Sequence, residues 1–223
     1  ATNSLTVSIA NVEPVILSLA NSSPGCGGAQ FGQSVNMNGT FSDVGILDTH
    51  TMLVNWGDGT SSAGAINESG GSGSFAASHI YTTGGIFTIT ATLTDDDTGT
   101  HVVTTTTIVT GVRLTPGGVL QIVGTNAMDQ VNVQFQTGGS DGGSDGAADG
   151  DLIRVQTDFN ADADGASDGG TDGGSDGGAD FVFEADEVLS ILVQLCGGND
   201  HLNVHHQVMV DANVDGGAGN DNL

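Results

Sequence analysis

Residues 85–94 read Gly85-Ile-Phe-Thr-Ile-Thr-Ala-Thr-Leu-Thr94 and carry the clearest secondary-structure signal in the chain. Four apolar residues, starting at Phe87, alternate with four threonines, so the two kinds of side chain point to opposite faces of an extended chain. This period of two, with β-branched residues, predicts a half-buried strand. Turn-rich spacers separate it from six further candidate strands, at 12–19, 33–41, 50–56, 62–68, 74–81 and 101–110. Short strands at this spacing predict an antiparallel β-sandwich.

Three motifs in this half occur in a fixed order: Val54-Asn-Trp-Gly-Asp-Gly-Thr60, then Ser78-His-Ile-Tyr81, then the strand that ends at Asp95. Together they resemble the polycystic-kidney-disease-type (PKD) domain, which implies an immunoglobulin-like antiparallel β-sandwich over residues 12–112. We interpret the motifs as structural, with Trp56 as a core anchor and Asp58 bonding to backbone N–H groups of the turn. The resemblance makes His79 a structural histidine. It also makes residues 1–11 the terminal strand of a preceding module, or a linker.

The charge balance excludes several functions. Asp and Glu number 27 and the only basic residues are Arg113 and Arg154, a formal net charge of −25. Nucleic-acid binding, which needs several cations against phosphates, is therefore not expected.

Membrane insertion is not expected either, because no apolar run approaches the roughly 20 residues that a spanning helix needs. The chain has no HExxH, P-loop or G-x-S-x-G motif, and its aromatic content of 4% offers little stacking surface for a sugar, so we expect no enzyme activity.

Residues 113–223 have a different character. Short apolar segments, at 119–123, 131–135, 152–155, 188–195 and 202–204, alternate with Gly-Asn-Asp turns. The last turn, Gly216-Gly-Ala-Gly-Asn-Asp-Asn-Leu223, resembles the repeat unit of RTX (hemolysin-type) calcium-binding proteins, which implies a β-solenoid or β-roll-like domain. The resemblance implies calcium ligation by the carbonyls of Gly217 and Gly219 and the side chain of Asp221. Asp129, Asp200 and Asp215 are weaker analogues of that position.

Two Asp/Gly-rich insertions interrupt this second half, at 138–151 and 162–180. Their composition is typical of flexible linkers, but aspartates at every fourth residue also suit a cation. The candidate ligands are Asp141, Asp145, Asp149, Asp164, Asp168, Asp172, Asp176 and Asp180. In the sandwich, Asp43, Asp48, Asp95 and Asp97 are candidate calcium ligands by their position in Asp-rich loops, with turn capping as the alternative.

Two further residue types bear on the compartment. Cys26 and Cys196 are some 170 residues apart, and we expect two unpaired thiols, with an inter-domain bridge as the alternative. Asn21, Asn38 and Asn67 begin N-glycosylation sequons, so the chain is a candidate glycoprotein.

These observations predict a non-catalytic, extracellular or cell-surface, calcium-binding module of a large tandem-repeat protein with a structural or adhesive role. Calcium would offset the negative charge, and free calcium is abundant enough for weak sites only outside the cell. The expected partners are neighbouring modules, or copies of the chain in a fibre, and a polysaccharide or surface-protein ligand. The alternative is an accessory substrate-binding region of a secreted hydrolase or protease.

Overall fold

The computed structural model describes residues 10–138, 150–159 and 178–223, and in these ranges every regular element is a β-strand. No helix long and apolar enough to cross a membrane occurs in these residues. The first eight strands are β1 (Val15–Asn21), β2 (Ala29–Gln30), β3 (Ser34–Ser42), β4 (His50–Asn55), β5 (Ser61–Ser69), β6 (Ser72–Ile80), β7 (Gly85–Asp95) and β8 (Thr100–Leu114). The others are β9 (Val119–Val123), β10 (Gln130–Gln136), β11 (Leu152–Thr157), β12 (Ala179–Glu184), β13 (Ser190–Gln194), β14 (His201–Val204) and β15 (Asp211–Asp215).

The chain divides into two compact units that interleave in sequence. The first unit takes residues up to Pro24, Ser34–His79 and Phe87–Thr107. The second takes Gly25–Gln33, Ile80–Ile86 and Ile108–Leu223. The sequence predicts a domain boundary between residues 112 and 113. This lies close to one of the points at which the chain passes from one unit to the other.

The first unit is a β-sandwich whose strands follow the order β1-β3-β6-β5-β4-β7-β8 in one curled sheet. The pairings β1–β3, β4–β5, β4–β7 and β5–β6 are antiparallel. Strand β7 alternates as predicted, with Phe87, Ile89 and Leu93 buried. Trp56 has no exposed surface. The apolar faces of β3, β4 and β7 supply most of this core, because alternation places every second residue inside.

Parallel pairing distinguishes the second unit. Strand β13 pairs in register with β9 on one side and β15 on the other, so Ile122, Val193 and Val214 stack in one row. Strand β10 pairs in parallel with β14, and Val131 stands against Leu202. Strand β8 caps the first stack by pairing antiparallel with β9. The turns between β9 and β10 and between β13 and β14 therefore lie above one another.

A four-stranded sheet with the order β12-β11-β10-β14 completes this unit. Its inner face contributes Val131, Val133, Ile153 and Val155 to a core that also contains Leu120 and Ile191. Strands β11 and β12 extend the parallel pair β10–β14 by antiparallel pairing. The sequence analysis did not anticipate β2, β12 or β15, because each is very short or lies beside Asp/Gly-rich sequence.

Candidate cation site and stacked aspartate turns

Three carboxylates meet at one end of the first unit. Asp43 and Asp48 delimit the loop after β3, and Asp95 ends β7. One carboxylate oxygen from each lies within 4.8 Å of the other two. Oxygens bound to one calcium ion at about 2.3–2.6 Å are at most about 5 Å apart, so this spacing is compatible with a shared ion. The sequence analysis proposed all three residues; Asp97 is exposed in the adjacent turn and is not part of the cluster.

Local hydrogen bonds hold two of these carboxylates in place. Asp43 Oδ1 accepts the backbone N–H of Gly45 at 2.7 Å. Asp95, which is 4% exposed, accepts the backbone N–H of Gly99 at 2.7 Å and the side-chain amide of Asn11 at 2.8 Å. These bonds are the turn capping that was the alternative to calcium binding in the sequence analysis. They also hold the side chains of Asp43 and Asp95 in position within the cluster.

The electrostatics of the cluster follow from these contacts. Burial tends to raise the pKa of Asp95, but the hydrogen bonds from Asn11 and Gly99 lower it below its usual value, so Asp95 is ionised. Desolvation, together with the charges of Asp43 and the Asp95–Asp97 run, raises the pKa of Asp48. A bound cation would offset the repulsion from the neighbouring carboxylates and would therefore favour the ionised form of Asp48.

A buried histidine lies behind the cluster. His50 places Nε2 3.0 Å from Asp43 Oδ2 and Nδ1 2.6 Å from Glu68 Oε2, and its side chain is 1% exposed. Because a carboxylate only accepts, both ring nitrogens must carry protons for both hydrogen bonds to form. Burial tends to lower the pKa of His50, but the hydrogen bonds to Asp43 and Glu68 raise it above its usual value. His50 is thus the cationic counter-charge of Asp43.

Sequence reasoning missed this network. Glu68 belongs to β5 and His50 to β4, and only their sheet register brings them together. Neither residue lies in a motif, so the sequence carried no signal that linked them.

The second unit brings three predicted ligands into one column. Asp129, Asp200 and Asp221 occupy equivalent places in successive stacked turns. Asp200 Oδ1 accepts the N–H of Asp129 at 2.9 Å, and Asp221 Oδ1 accepts the N–H of Asp200 at 3.1 Å. Asp200 and Asp221 thus each cap the backbone of the turn above, and we call the three stacked residues the aspartate column.

The first two carboxylates of the column, Asp129 and Asp200, are buried. Asp129 accepts the N–H and the hydroxyl of Thr125, at 2.7 and 2.8 Å. Desolvation nevertheless raises the pKa of Asp129 to about 6, overcoming those hydrogen bonds, and the charges of Asp200 and Asp158 act in the same direction. Desolvation also raises the pKa of Asp200. Asp200 is 2% exposed, and its Oδ2 has no hydrogen-bond partner among the described residues.

The remaining predicted ligands lie elsewhere. Asp215 ends β15 and accepts the N–H of Gly217 at 2.9 Å. Gly217 and Gly219 have positive φ, at 78° and 148°, and a Cβ on either would collide with a carbonyl of the turn above, so stacking requires glycine there. Asp180 forms an ion pair with Arg154. The other candidates, Asp141, Asp145, Asp149, Asp164, Asp168, Asp172 and Asp176, lie outside the described residues.

The expectation of two unpaired thiols is wrong. Cys26 and Cys196 form a disulfide with a Cα–Cα distance of 5.4 Å. The bridge is not inter-domain either, because residues 25–33 belong to the second unit. A separation of 170 residues does not reveal that residues 25–33 return to the second unit, where Cys26 meets Cys196. Persistent disulfides are typical of oxidising, extracellular compartments.

The sequons differ in accessibility. Asn21 is buried, and its amide nitrogen donates to Thr105 Oγ1 and the Thr106 carbonyl. A glycan on Asn21 would have to replace these bonds. Asn38 and Asn67 are exposed on strands β3 and β5.

The motif at Trp56 is structural. Asp58 Oδ1 accepts the N–H of Thr60 at 2.9 Å, and Asp58 Oδ2 lies 2.6 Å from His79 Nε2. The His79 ring stacks on Trp56 with 5.1 Å between centroids. Gly57 and Gly59 adopt φ of 81° and 91°. These contacts thus brace a turn of the antiparallel sandwich.

Comparison with known proteins gives a match for the first part of the chain. Residues 11–110 match the family model described as PKD domain, which supports the PKD prediction for this part of the chain. PKD domains are non-catalytic accessory modules typical of extracellular and secreted proteins, proteases among them. No curated protein matches the chain.

Several solved structures match part of the chain. The PKD1 domain of Vibrio anguillarum Epp is 26% identical, with 45% of this chain and 96% of that chain covered and a TM-score of 0.32. The PKD domain of an M14-like peptidase from a Thermoplasmatales archaeon is 21% identical, with 45% and 98% covered and a TM-score of 0.38. A structure of carbohydrate-binding modules from the β-sandwich superfamily is 15% identical, with 67% and 55% covered and a TM-score of 0.36.

Proposed function

We propose that this chain is a non-catalytic, calcium-binding structural module of an extracellular protein. The single observation that carries the proposal is the close approach of Asp43, Asp48 and Asp95. One carboxylate oxygen of each lies within 4.8 Å of the other two, a spacing at which all three could bind one calcium ion. Two of the three are preorganised by backbone and amide hydrogen bonds, so ion binding needs little rearrangement. The net charge of −25 adds a general attraction for cations.

The proposed mechanism is stabilisation by mass action. An extracellular module with a dissociation constant near 10⁻⁴ M, at about 1 mM free calcium, gains about 1.4 kcal/mol of folding free energy. For a domain of this size that corresponds to a rise in melting temperature of roughly 6–10 °C. Calcium would also join the loop after β3 to the end of β7, which stiffens one end of the sandwich.

Calorimetric titration of calcium into the full chain tests the proposal, with thermal melting followed by the fluorescence of Trp56, the only tryptophan. Asp48→Asn should remove one binding event and abolish the calcium-dependent shift of the Trp56 transition. Asp186→Asn, in an exposed turn of the second unit, is the matched control and should keep both. An unchanged Trp56 transition in wild-type protein on adding calcium would contradict the proposal.

We further infer that the second unit is a short β-solenoid of the RTX-like kind. The in-register parallel stacks of β9, β13 and β15 and of β10 and β14 support this. The 21-residue spacing of Asp200 and Asp221 gives the length of one coil. A calcium ion at these turns would engage Asp200 Oδ2, the buried oxygen without a partner among the described residues. Calcium-edge spectroscopy, with wild type compared to Asp200→Asn, tests this second site separately.

Neighbouring modules or copies of the chain are the proposed partners. Strand β15 pairs with β13 on one side only within the described residues, so its other edge offers backbone groups for strand addition. Sedimentation analysis with and without calcium tests this: calcium-dependent association supports it, and a monomer at all concentrations contradicts it.

A further inference from the structure

The outer face of the four-stranded sheet in the second unit is lined by planar polar side chains. Its inner face contributes Val131, Val133 and Val155 to the core, so the intervening residues point away from that core. Sheet register places Asn203, Asn132, Gln156 and Asp180 side by side, one from each strand. At about 4.8 Å between strands, this row is about 14 Å long.

A second row adjoins the first at one end of the sheet. Gln130 stands against His201 in the parallel pair β10–β14. On its other side the N–H of Gln130 donates to Asp158 Oδ1 at 2.5 Å. The two rows line a groove of about 410 Å³, within the size range of small-molecule sites.

Much of the hydrogen-bonding capacity in this groove is unused. Asn203 Nδ2 donates to Asn132 Oδ1 at 3.2 Å, which leaves the other half of each amide available. Among the described residues, the Gln130 side-chain amide and the His201 imidazole make no hydrogen bond. Arg154 neutralises Asp180, so Asp158, which accepts only the N–H of Gln130, is the one carboxylate without an ion pair among the described lining residues.

We propose that this groove binds a neutral saccharide. Hydroxyl groups donate and accept at once, and vicinal hydroxyls match the paired donor and acceptor of an amide or the two oxygens of a carboxylate. The row of three amides, one each from β14, β10 and β11, offers such partners side by side. The inference is independent of calcium, because it uses none of Asp43, Asp48 or Asp95.

The same lining disfavours other ligands. An anionic ligand would face Asp158 and the strongly negative chain. An apolar ligand would leave the amides and the imidazole without partners, which is costly. The described residues of the lining include no Phe, Tyr or Trp on which a sugar ring could stack, so we expect binding to be weak and to depend on the pattern of hydroxyl groups.

Affinity electrophoresis of the full chain in native gels tests the proposal, with galactomannan, xyloglucan and mixed-linkage glucan as neutral probes and polygalacturonate as the anionic one. A chelator in all gels removes calcium bridging. We expect retardation by at least one neutral polysaccharide and none by polygalacturonate. The double variant Asn132→Ala/Gln156→Ala should weaken retardation roughly tenfold or more, while Asn213→Ala, an exposed amide on β15, should leave it unchanged.

Three results would overturn the inference: no retardation by any neutral probe, equal retardation of wild type and the double variant, or retardation by polygalacturonate alone. The melting temperatures of both variants are measured in parallel. If the double variant is unstable, His201→Ala and Gln130→Ala, both exposed at the rim, replace it. Failure here leaves the calcium titration of Asp48→Asn unaffected, so the two proposals are judged separately.

Discussion

The carboxylate of Asp200 accepts the backbone N–H of Asp129 at 2.9 Å, a contact between residues 71 positions apart. It joins two stacked turns and is repeated one turn lower, where Asp221 accepts the N–H of Asp200. Asp200 and Asp221 therefore each accept a backbone hydrogen bond that does not require a charge, because an uncharged side-chain carbonyl can accept the same bond.

This separation of roles predicts different effects for two variants of Asp200. In chelator at neutral pH, Asp200→Asn should match or exceed the stability of wild type, since it keeps an acceptor and removes a buried charge near Asp221. Asp200→Ala should cost about 1–3 kcal/mol, because the N–H of Asp129 loses its partner. Chemical denaturation followed by far-ultraviolet circular dichroism measures both. Equal destabilisation by the two variants would show that the charge itself matters.

Asp129 predicts an unusual pH dependence. Desolvation raises its pKa to about 6, above the value of about 3.9 expected in the unfolded chain. A raised pKa means that the folded state holds the proton more tightly, so this contribution is fully present below pH 4 and is lost as the pH rises through 6. Asp129→Asn should flatten that part of the profile. Stability of both proteins, measured in chelator from pH 4 to 8, checks the prediction.

His50 predicts a second, separate titration in the first unit. Its pKa is raised by hydrogen bonds to Asp43 and Glu68 against the effect of burial. Its stabilisation is therefore complete below the unfolded value of about 6.5 and is lost as the pH rises through the higher folded value. His50→Gln should destabilise the Trp56 transition by about 1–3 kcal/mol at pH 6 and by less at pH 9.

The control for this titration is His206→Gln, an exposed histidine of the second unit. It should leave the Trp56 transition unchanged at either pH. Nitrogen-15 NMR of the His50 ring should show two N–H groups at pH 6, below its raised pKa. A neutral ring at that pH would refute the assignment of His50 as a cation.

The disulfide predicts a unit-specific effect of reduction. Closing a loop of 170 residues contributes about 5 kcal/mol in the chain-entropy view. Dithiothreitol should therefore lower the melting temperature of the second unit, and Cys26→Ser/Cys196→Ser should melt as the reduced wild type does. Thiol titration of the unreduced, denatured protein should find neither cysteine reactive. One reactive thiol or more per chain would contradict the pairing.

Substitution of two glycines in one turn, Gly57 and Gly59, should reduce the free energy of unfolding by different amounts. Both Gly57 and Gly59 have positive φ, but a Cβ on Gly57 would lie 2.5 Å from the carbonyl oxygen of Thr88, whereas one on Gly59 meets nothing within 4 Å. Gly59→Ala should cost about 1 kcal/mol from backbone strain alone. Gly57→Ala should cost clearly more, because the turn must also move away from β7. Denaturation followed by Trp56 fluorescence compares the two, and equal costs would contradict the steric argument.

The sandwich was accessible from sequence because its signals are local. The alternation at residues 85–94 and the turn at Trp56 are each complete within about ten residues. The Asp43–Asp48–Asp95 cluster was anticipated only as separate loops, since their meeting depends on the pairing of β4 with β7. The contact of Glu68 with His50 and the pairing of Cys26 with Cys196 were not predicted for the same reason. Both depend on strand register and on the path of the chain, which composition and periodicity do not reveal.

The interleaving of the two units has a practical consequence for anyone who expresses parts of the chain. A fragment that ends near residue 110 contains Cys26 but lacks Cys196, so it carries an unpaired thiol, and its residues Gly25–Gln33 are separated from most of the second unit to which they belong. Conversely, a fragment that begins at residue 113 loses β2 and most of β8, including the cap over β9. When the chain is made from its N-terminus, the disulfide of the second unit can close only after the 170 residues that separate Cys26 from Cys196 have also been made.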